Sequence, residues 1–316
     1  MGRAHRARCR GEIGVATLAL LAPATARAHP GLPPAPHDLW TSWSFEPVVL
    51  LGLVVLAGGY ALGVRRLWRR AGRGRGIARW RVRAFAAGVL ALVVALVSPL
   101  DALGLSLFSG HMVQHLALML VAAPLLVAGL PERAFLHAIP RPMAHAFGRG
   151  WHRLGLRRLG RAVVHPVSVG AMHAAAIWAW HVPRLYDTAI HFERWHAAEH
   201  ASFLVTAALF WALLDQPGRR ARLAALPAML LVFVTAMQST VLGALLTLSS
   251  HPWYSAHLPF TAAWGLTPLE DQQLAGVLMW VPAGTFYLPA LVWVLWRALR
   301  GAEAKSPMRA AAAPGT

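Results

Sequence analysis

The chain has 316 residues, 57% of them hydrophobic and 13% charged, with a formal net charge of +18. A soluble domain carries about a quarter charged residues, so this balance describes a polytopic membrane protein and excludes a string of soluble domains. The thirty basic residues sit between apolar segments, which assigns the charge to membrane topology and to contact with anionic lipids, not to nucleic acid.

Residues 1–28 read as a cleavable signal peptide: Arg3, Arg6, Arg8 and Arg10, the apolar run VATLALLAPATA, then Ala26-Arg27-Ala28. The lone cysteine, Cys9, precedes the apolar run, so cleavage leaves a mature chain without a thiol. Any metal must then be held by His, Met, Asp or Glu. Residues 29–46 follow as a periplasmic tail, 47–298 as a seven-helix transmembrane domain, and 299–316 as a flexible cytoplasmic tail. The expected fold is an all-α integral membrane bundle.

A span needs about 20 apolar residues. Seven stretches qualify after the signal, at 47–64, 80–98, 106–129, 166–183, 195–214, 224–248 and 272–297. Arginine counts in the connections set their direction. RRLWRRAGRGRGIARWRVR holds nine, residues 131–165 seven and DQPGRRAR three, whereas SPLDALG and SSHPWYSAHLPFTAAWGLTPLED hold none. The N-terminus is therefore expected outside and the C-terminus inside a bacterial inner (plasma) membrane.

Span 3 contains FSGHMVQHLALMLVAAPLL, in which His111 and His115 share a helical face beside Gln114. At about 1.5 Å per residue they lie about 9 and 15 Å below the outer end. On span 4 His173 falls at the same level, with His181 near the rim. On span 5 HFERWHAAEHASF supplies His196 and His200, another i, i+4 pair. Three consecutive spans thus carry two histidines each in the outer half. Met112, Met237 and Met279 fall at comparable depths, and neutral imidazoles with thioethers and no thiolate favour Cu(I). The same residues also suit hydrogen bonds across a helical core, to Gln114, Glu199 or Asp271. Two imidazoles on facing spans also suit axial ligation of haem. At the outer end of span 3, Asp101 in SPLDALG is expected to cap the helix. EDQQLAGVLMW opens span 7 with Glu270 and Asp271 where a helix dipole favours carboxylates, and Gln272 can bond a neighbouring helix.

In order, SPLDALGLSLFSGHMVQHLALMLVAAPLLVAG, HPVSVGAMHAAAIWAWHVPRLYD, WHAAEHASF and DQQLAGVLMWVPAG resemble the CtaG family of multi-span cytochrome c oxidase assembly factors, over about residues 40–298. The resemblance implies a non-enzymatic factor that helps build a haem–copper oxidase, with oxidase subunits as partners and copper as the metal handled. It carries the motif positions onto His111, His115, His173, His181, His196 and His200, with Asp271 and Gln272 opening span 7. A haem-binding or haem-modifying protein and a copper transporter are the competing functions. Transport ranks lower, because polar positions thin out below mid-depth.

The topology is checked by reporter fusions. Fusions after Arg73 and Arg220 should report cytoplasm and one after Ser255 the periplasm; an external Arg73 would invert the arrangement.

Overall fold

A computed structural model describes residues 33–215 and 224–303. The expected signal peptide, most of the DQPGRRAR connection and the tail beyond 303 lie outside the described residues. Within them the regular elements are helices. Five are long and apolar enough to cross a membrane: Pro47–Ala71, Phe108–Ala128, Glu193–Leu214, Ala225–Thr247 and Pro268–Arg300. The number rises to seven if Arg79–Leu96 with Pro99–Ser106, bent by 42°, and Leu156–Val163 with Pro166–Trp180, bent by 66°, each make one span.

Helix α1 (Pro47–Ala71) runs beyond its apolar stretch and ends at Gly72, whose φ of +95° favours glycine. Helices α2 (Arg79–Leu96) and α3 (Pro99–Ser106) are separated by Ser98, which accepts from Leu100 N as an N-cap. Helix α4 (Phe108–Leu116) continues through a π-helical turn, Ala117–Ala122, into α5 (Ala123–Ala128). Pro124 has no N–H to give, so the hydrogen-bond ladder must widen before it. The Trp211 indole donates to Met119 O within that turn.

The arginine-rich stretch 131–165, expected as a connection, folds into α6 (Pro131–Ala138), α7 (Arg141–Arg153) and α8 (Leu156–Val163). Helix α6 lies so close to α1 that a Cβ on Gly63 would come within 1.9 Å of Ala134 O. Helices α9 (Pro166–Trp180), α10 (Pro183–His191), α11 (Glu193–Leu214), α12 (Ala225–Thr247) and α13 (Pro268–Glu303) complete the bundle. Gly243 and Gly276 bring α12 and α13 into backbone contact, the role small residues have between membrane helices.

The two ends of the bundle differ chemically. At one, arginines donate to the last carbonyls of helices: Arg66 to Ala138 O at 2.5 Å, Arg81 to Ala128 O at 2.7 Å and Arg297 to Leu214 O at 2.6 Å. Cations there satisfy orphan carbonyls and oppose the helix dipoles. The other end belongs to carboxylates and histidines. Thr267 and Glu270 form a reciprocal cap on α13. Asp271, one residue on and buried, accepts from Phe108 N at 2.7 Å and Ser109 N at 3.1 Å, and also from the Ser109 hydroxyl.

Asp271, not Asp101, therefore caps α4. Asp101 accepts from Gln114 Nε2 at 2.7 Å, and the same amide donates to Ala95 O at 2.8 Å. The expectation from SPLDALG fails because α3 turns Asp101 toward the side of α4 instead of its end. Between them the two carboxylates fix the depth and rotation of α4.

Asp271→Ala leaves two buried amides and a hydroxyl without their acceptor, a loss of about 3 kcal/mol. Thermal unfolding of the purified protein should show a clear drop in midpoint, while Glu270→Gln at the exposed cap shifts it far less.

Candidate metal centre

On α11 the buried residues are His196, Glu199, His200, Phe203, Ala207, Phe210, Leu213 and Leu214. That is one stripe at three- and four-residue spacing, so the packing face of the helix is also its polar face. Helix α4 turns His111 and His115 toward it. One ligand atom each from His111, His115, Glu199 and His200 lie within 4.8 Å of one another. Glu199 stands between the imidazoles, its oxygens 3.4 Å from His111 Nε2 and 3.6 Å from His115 Nε2. The imidazole rings pack closely, with centroids 4.2 Å apart for His111 and His115 and 5.3 Å apart for His115 and His200.

The four residues are 0, 1, 0 and 7% exposed, in that order. Their polar atoms are nonetheless unsatisfied. His111 Nε2, both His115 nitrogens, His200 Nε2 and both Glu199 oxygens have no hydrogen-bond partner among the described residues. Burying an uncompensated carboxylate costs several kcal/mol. A satisfied hydrogen-bonding core would not leave such atoms facing one another. Donors around a tetrahedral ion with bonds of about 2.0–2.1 Å are about 3.3–3.4 Å apart, close to the Glu199–imidazole separations. The residues present fit a metal ion with nitrogen and oxygen ligands.

The other expected residues are placed as follows. His196 lies beside the group, its ring centroid 4.2 Å from that of His200 and 5.4 Å from that of His111. His173 is outside the group. Thr206 spends its hydroxyl proton on Ser202 O, so His173 Nδ1 donates to Thr206 Oγ1 at 2.9 Å. His173 also stacks on Phe210. His181 ends α9 and donates from Nδ1 to Ile177 O at 2.6 Å, which leaves its Nε2 as a lone pair. Met112 and Met279 are buried, whereas Met237 is 43% exposed on α12. Gln272 accepts from Trp253 N at 2.6 Å and donates to His251 O, so it supports the connection between α12 and α13.

That connection forms a strap over the end of the cluster. Tyr254 donates to His181 O at 3.0 Å, and Asp187 accepts from Ser255 N, Ser255 Oγ and Ala256 N. His257 donates from Nδ1 to Leu105 O at 3.1 Å and accepts at Nε2 from the Tyr186 hydroxyl at 2.7 Å. Tyr186 in turn packs edge-on against His111, with ring centroids 5.3 Å apart. Burial pushes the His257 imidazole down to about 4, so at neutral pH the ring is neutral and can donate at one nitrogen while accepting at the other.

Residues 58–301 match the model of the cytochrome c oxidase caa3 assembly factor (Caa3_CtaG) family. The chain belongs to that family. It is also 30% identical over 257 residues to uncharacterized proteins of Mycobacterium bovis and Mycobacterium tuberculosis, and 27% identical over 260 residues to one of Mycobacterium leprae. Each alignment covers 78% of this chain but only 38% of the relative, so the chain spans well under half the length of these proteins. No solved structure matches it.

In this CtaG-family chain, Glu199 is the residue that sequence reasoning treated only as a hydrogen-bond partner. The signal was present in HAAEH. A carboxylate three residues after one histidine and one before the next shares their helical face, as in zinc-holding helices. Tyr186 and His257 carried no comparable signal, because the strap that joins them is irregular.

Glu199→Gln keeps the volume and removes the charge. Metal affinity should fall by roughly tenfold or more. The metal-free variant should unfold at about the same temperature as the wild type, since Glu199 makes no hydrogen bond that the amide would lose. A metal-free variant that unfolds at lower temperature would instead make Glu199 a structural partner.

Proposed function

We propose that this multi-pass cytochrome c oxidase assembly factor holds Cu(I) at His111, His115, His200 and Glu199 and passes it to an oxidase subunit. The observation that carries this reading is the convergence of four buried donors whose polar atoms lack hydrogen-bond partners. Copper is the cargo that a factor for a haem–copper oxidase would handle. Charge supports the monovalent ion. Glu199 is the one carboxylate in the group, so Cu(I) with neutral imidazoles gives a site of zero net charge, whereas a divalent ion would leave a buried positive charge. The acids nearest in the fold are already engaged, Asp271 with α4 and Asp101 with Gln114.

His196 supports the reading as a donor beside the group, within ring contact of His200. His173, held by Thr206, serves to position α9 against α11. The haem alternative is less well supported. The cavity that borders His115 is about 20 Å³, room for an ion and not for a macrocycle. Orientation follows the arginines: with the Arg-capped helix ends in the cytoplasm of a bacterial inner membrane, the cluster lies in the outer half. A site sealed in apolar surroundings suits an ion that must be kept from water and oxidants before delivery.

The test is oxidase activity together with immunodetected protein in cells carrying His115→Ala, with and without added copper. Activity should fall while the protein persists, and surplus copper should restore part of it, because a weakened site still fills at higher metal concentration. Normal activity without added copper would remove His115 from delivery.

A further inference from the structure

A second set of donors borders His115. A cavity of about 20 Å³ is lined there by Met112, His115, Met119, His181, Ser239 and Met279, among others. That volume holds one ion or one water. Its walls come from four elements: α4 with the π-helical turn, the end of α9, α12 and α13.

The polar inventory of the cavity is short. Ser239 donates its hydroxyl to Thr235 O at 3.1 Å. His181 donates from Nδ1 to Ile177 O, the backbone anchoring that a metal-bound histidine uses to present its other nitrogen. Its Nε2 is buried and has no hydrogen-bond partner among the described residues. His115 shows two unsatisfied nitrogens, one more than the Glu199 group uses. Tyr287, which carries a hydroxyl, and the thioethers of Met112, Met119 and Met279 complete the inventory. No carboxylate lines the cavity.

We infer that this cavity is a second metal position, a thioether–imidazole site for Cu(I) formed by His181 with Met112 and Met279 and joined to the Glu199 cluster through His115. The inference rests on the proposed metal-holding role of that cluster only for the shared use of His115. Soft thioethers with neutral imidazole select a soft monovalent ion over Zn(II) or Mg(II), which the absence of an anionic donor disfavours further. The two positions differ in kind, one uncharged and sulfur-rich, the other carrying a carboxylate. Movement of Cu(I) between them is ligand exchange around His115, with no change of oxidation state. The neutral site would hold the ion more weakly, because burying its positive charge is uncompensated there.

The experiment is anaerobic Cu(I) titration against a competing chelator, with X-ray absorption of the loaded full-length protein carrying Cys9→Ser, so that methionine supplies the only sulfur. Two equivalents should bind, with sulfur in the copper shell. Met112→Leu/Met279→Leu, a volume-conserving pair, should lose one equivalent and the sulfur signal. Glu199→Gln should weaken the other equivalent and keep the sulfur. One equivalent with no sulfur in the unsubstituted shell overturns this second site and leaves the Glu199 cluster standing; sulfur that persists after both methionines are replaced does the same. No bound copper at all overturns both. If the double variant does not purify intact, the sulfur signal before replacement decides alone.

Discussion

Inside an apolar bundle a polar atom must be met by another polar atom or by an ion, because there is no water to take its place. Most of this chain obeys that constraint visibly. Asp271 accepts from two amides and a hydroxyl at the start of α4, Asp101 accepts from the Gln114 amide, and arginines donate to the final carbonyls of three helices. The exceptions among the described residues include His181 Nε2, Gln114 Oε1 and Trp264 Nε1, but the densest group of them is Glu199 and the three imidazoles around it. Their atoms are mutually close, buried and without hydrogen bonds. The satisfied contacts hold α4 at the depth and rotation that creates the unsatisfied ones, which is the arrangement of a preorganised binding site.

The strap closes over the end of the candidate site. It is built from hydrogen bonds of Tyr186, Asp187, Tyr254, His257, Gln272 and Gln273 to backbone or side-chain partners. Apolar packing adds to them, since Tyr254 packs among Phe108 and Tyr186 in the same core cluster as Met279, so the strap is anchored in the bundle.

Sequence reading reached the helices and much of the site because both depend on short-range periodicity. His111 with His115 and His196 with His200 are i, i+4 pairs, and the structure turns both pairs inward on α4 and α11. Depth alone misplaced emphasis. His173 shares the level of His115, yet Thr206 engages it outside the four-residue group, since rotation about α9 is set by packing and not by depth. Glu199 was visible but was read as a partner for histidines, because a carboxylate in a span looks like a cost until its lack of hydrogen bonds is known. The helices within 131–165 were hidden by their arginines, which dominate the composition although α7 and α8 are helical. That Asp271 instead of Asp101 caps α4 needed the tertiary fold, as 163 residues separate Asp271 from the amide of Phe108 that it caps.

The proposed copper position is the space between Glu199 and the imidazoles of His111, His115 and His200. Anomalous diffraction at the copper edge from crystals of the copper-loaded protein locates the ion directly. The account predicts a peak among these four side chains, about 2.0–2.1 Å from the coordinating imidazole nitrogens. Copper found only at surface histidines such as His137 or His152, with the Glu199 cluster empty in protein that still supports oxidase assembly, would contradict it.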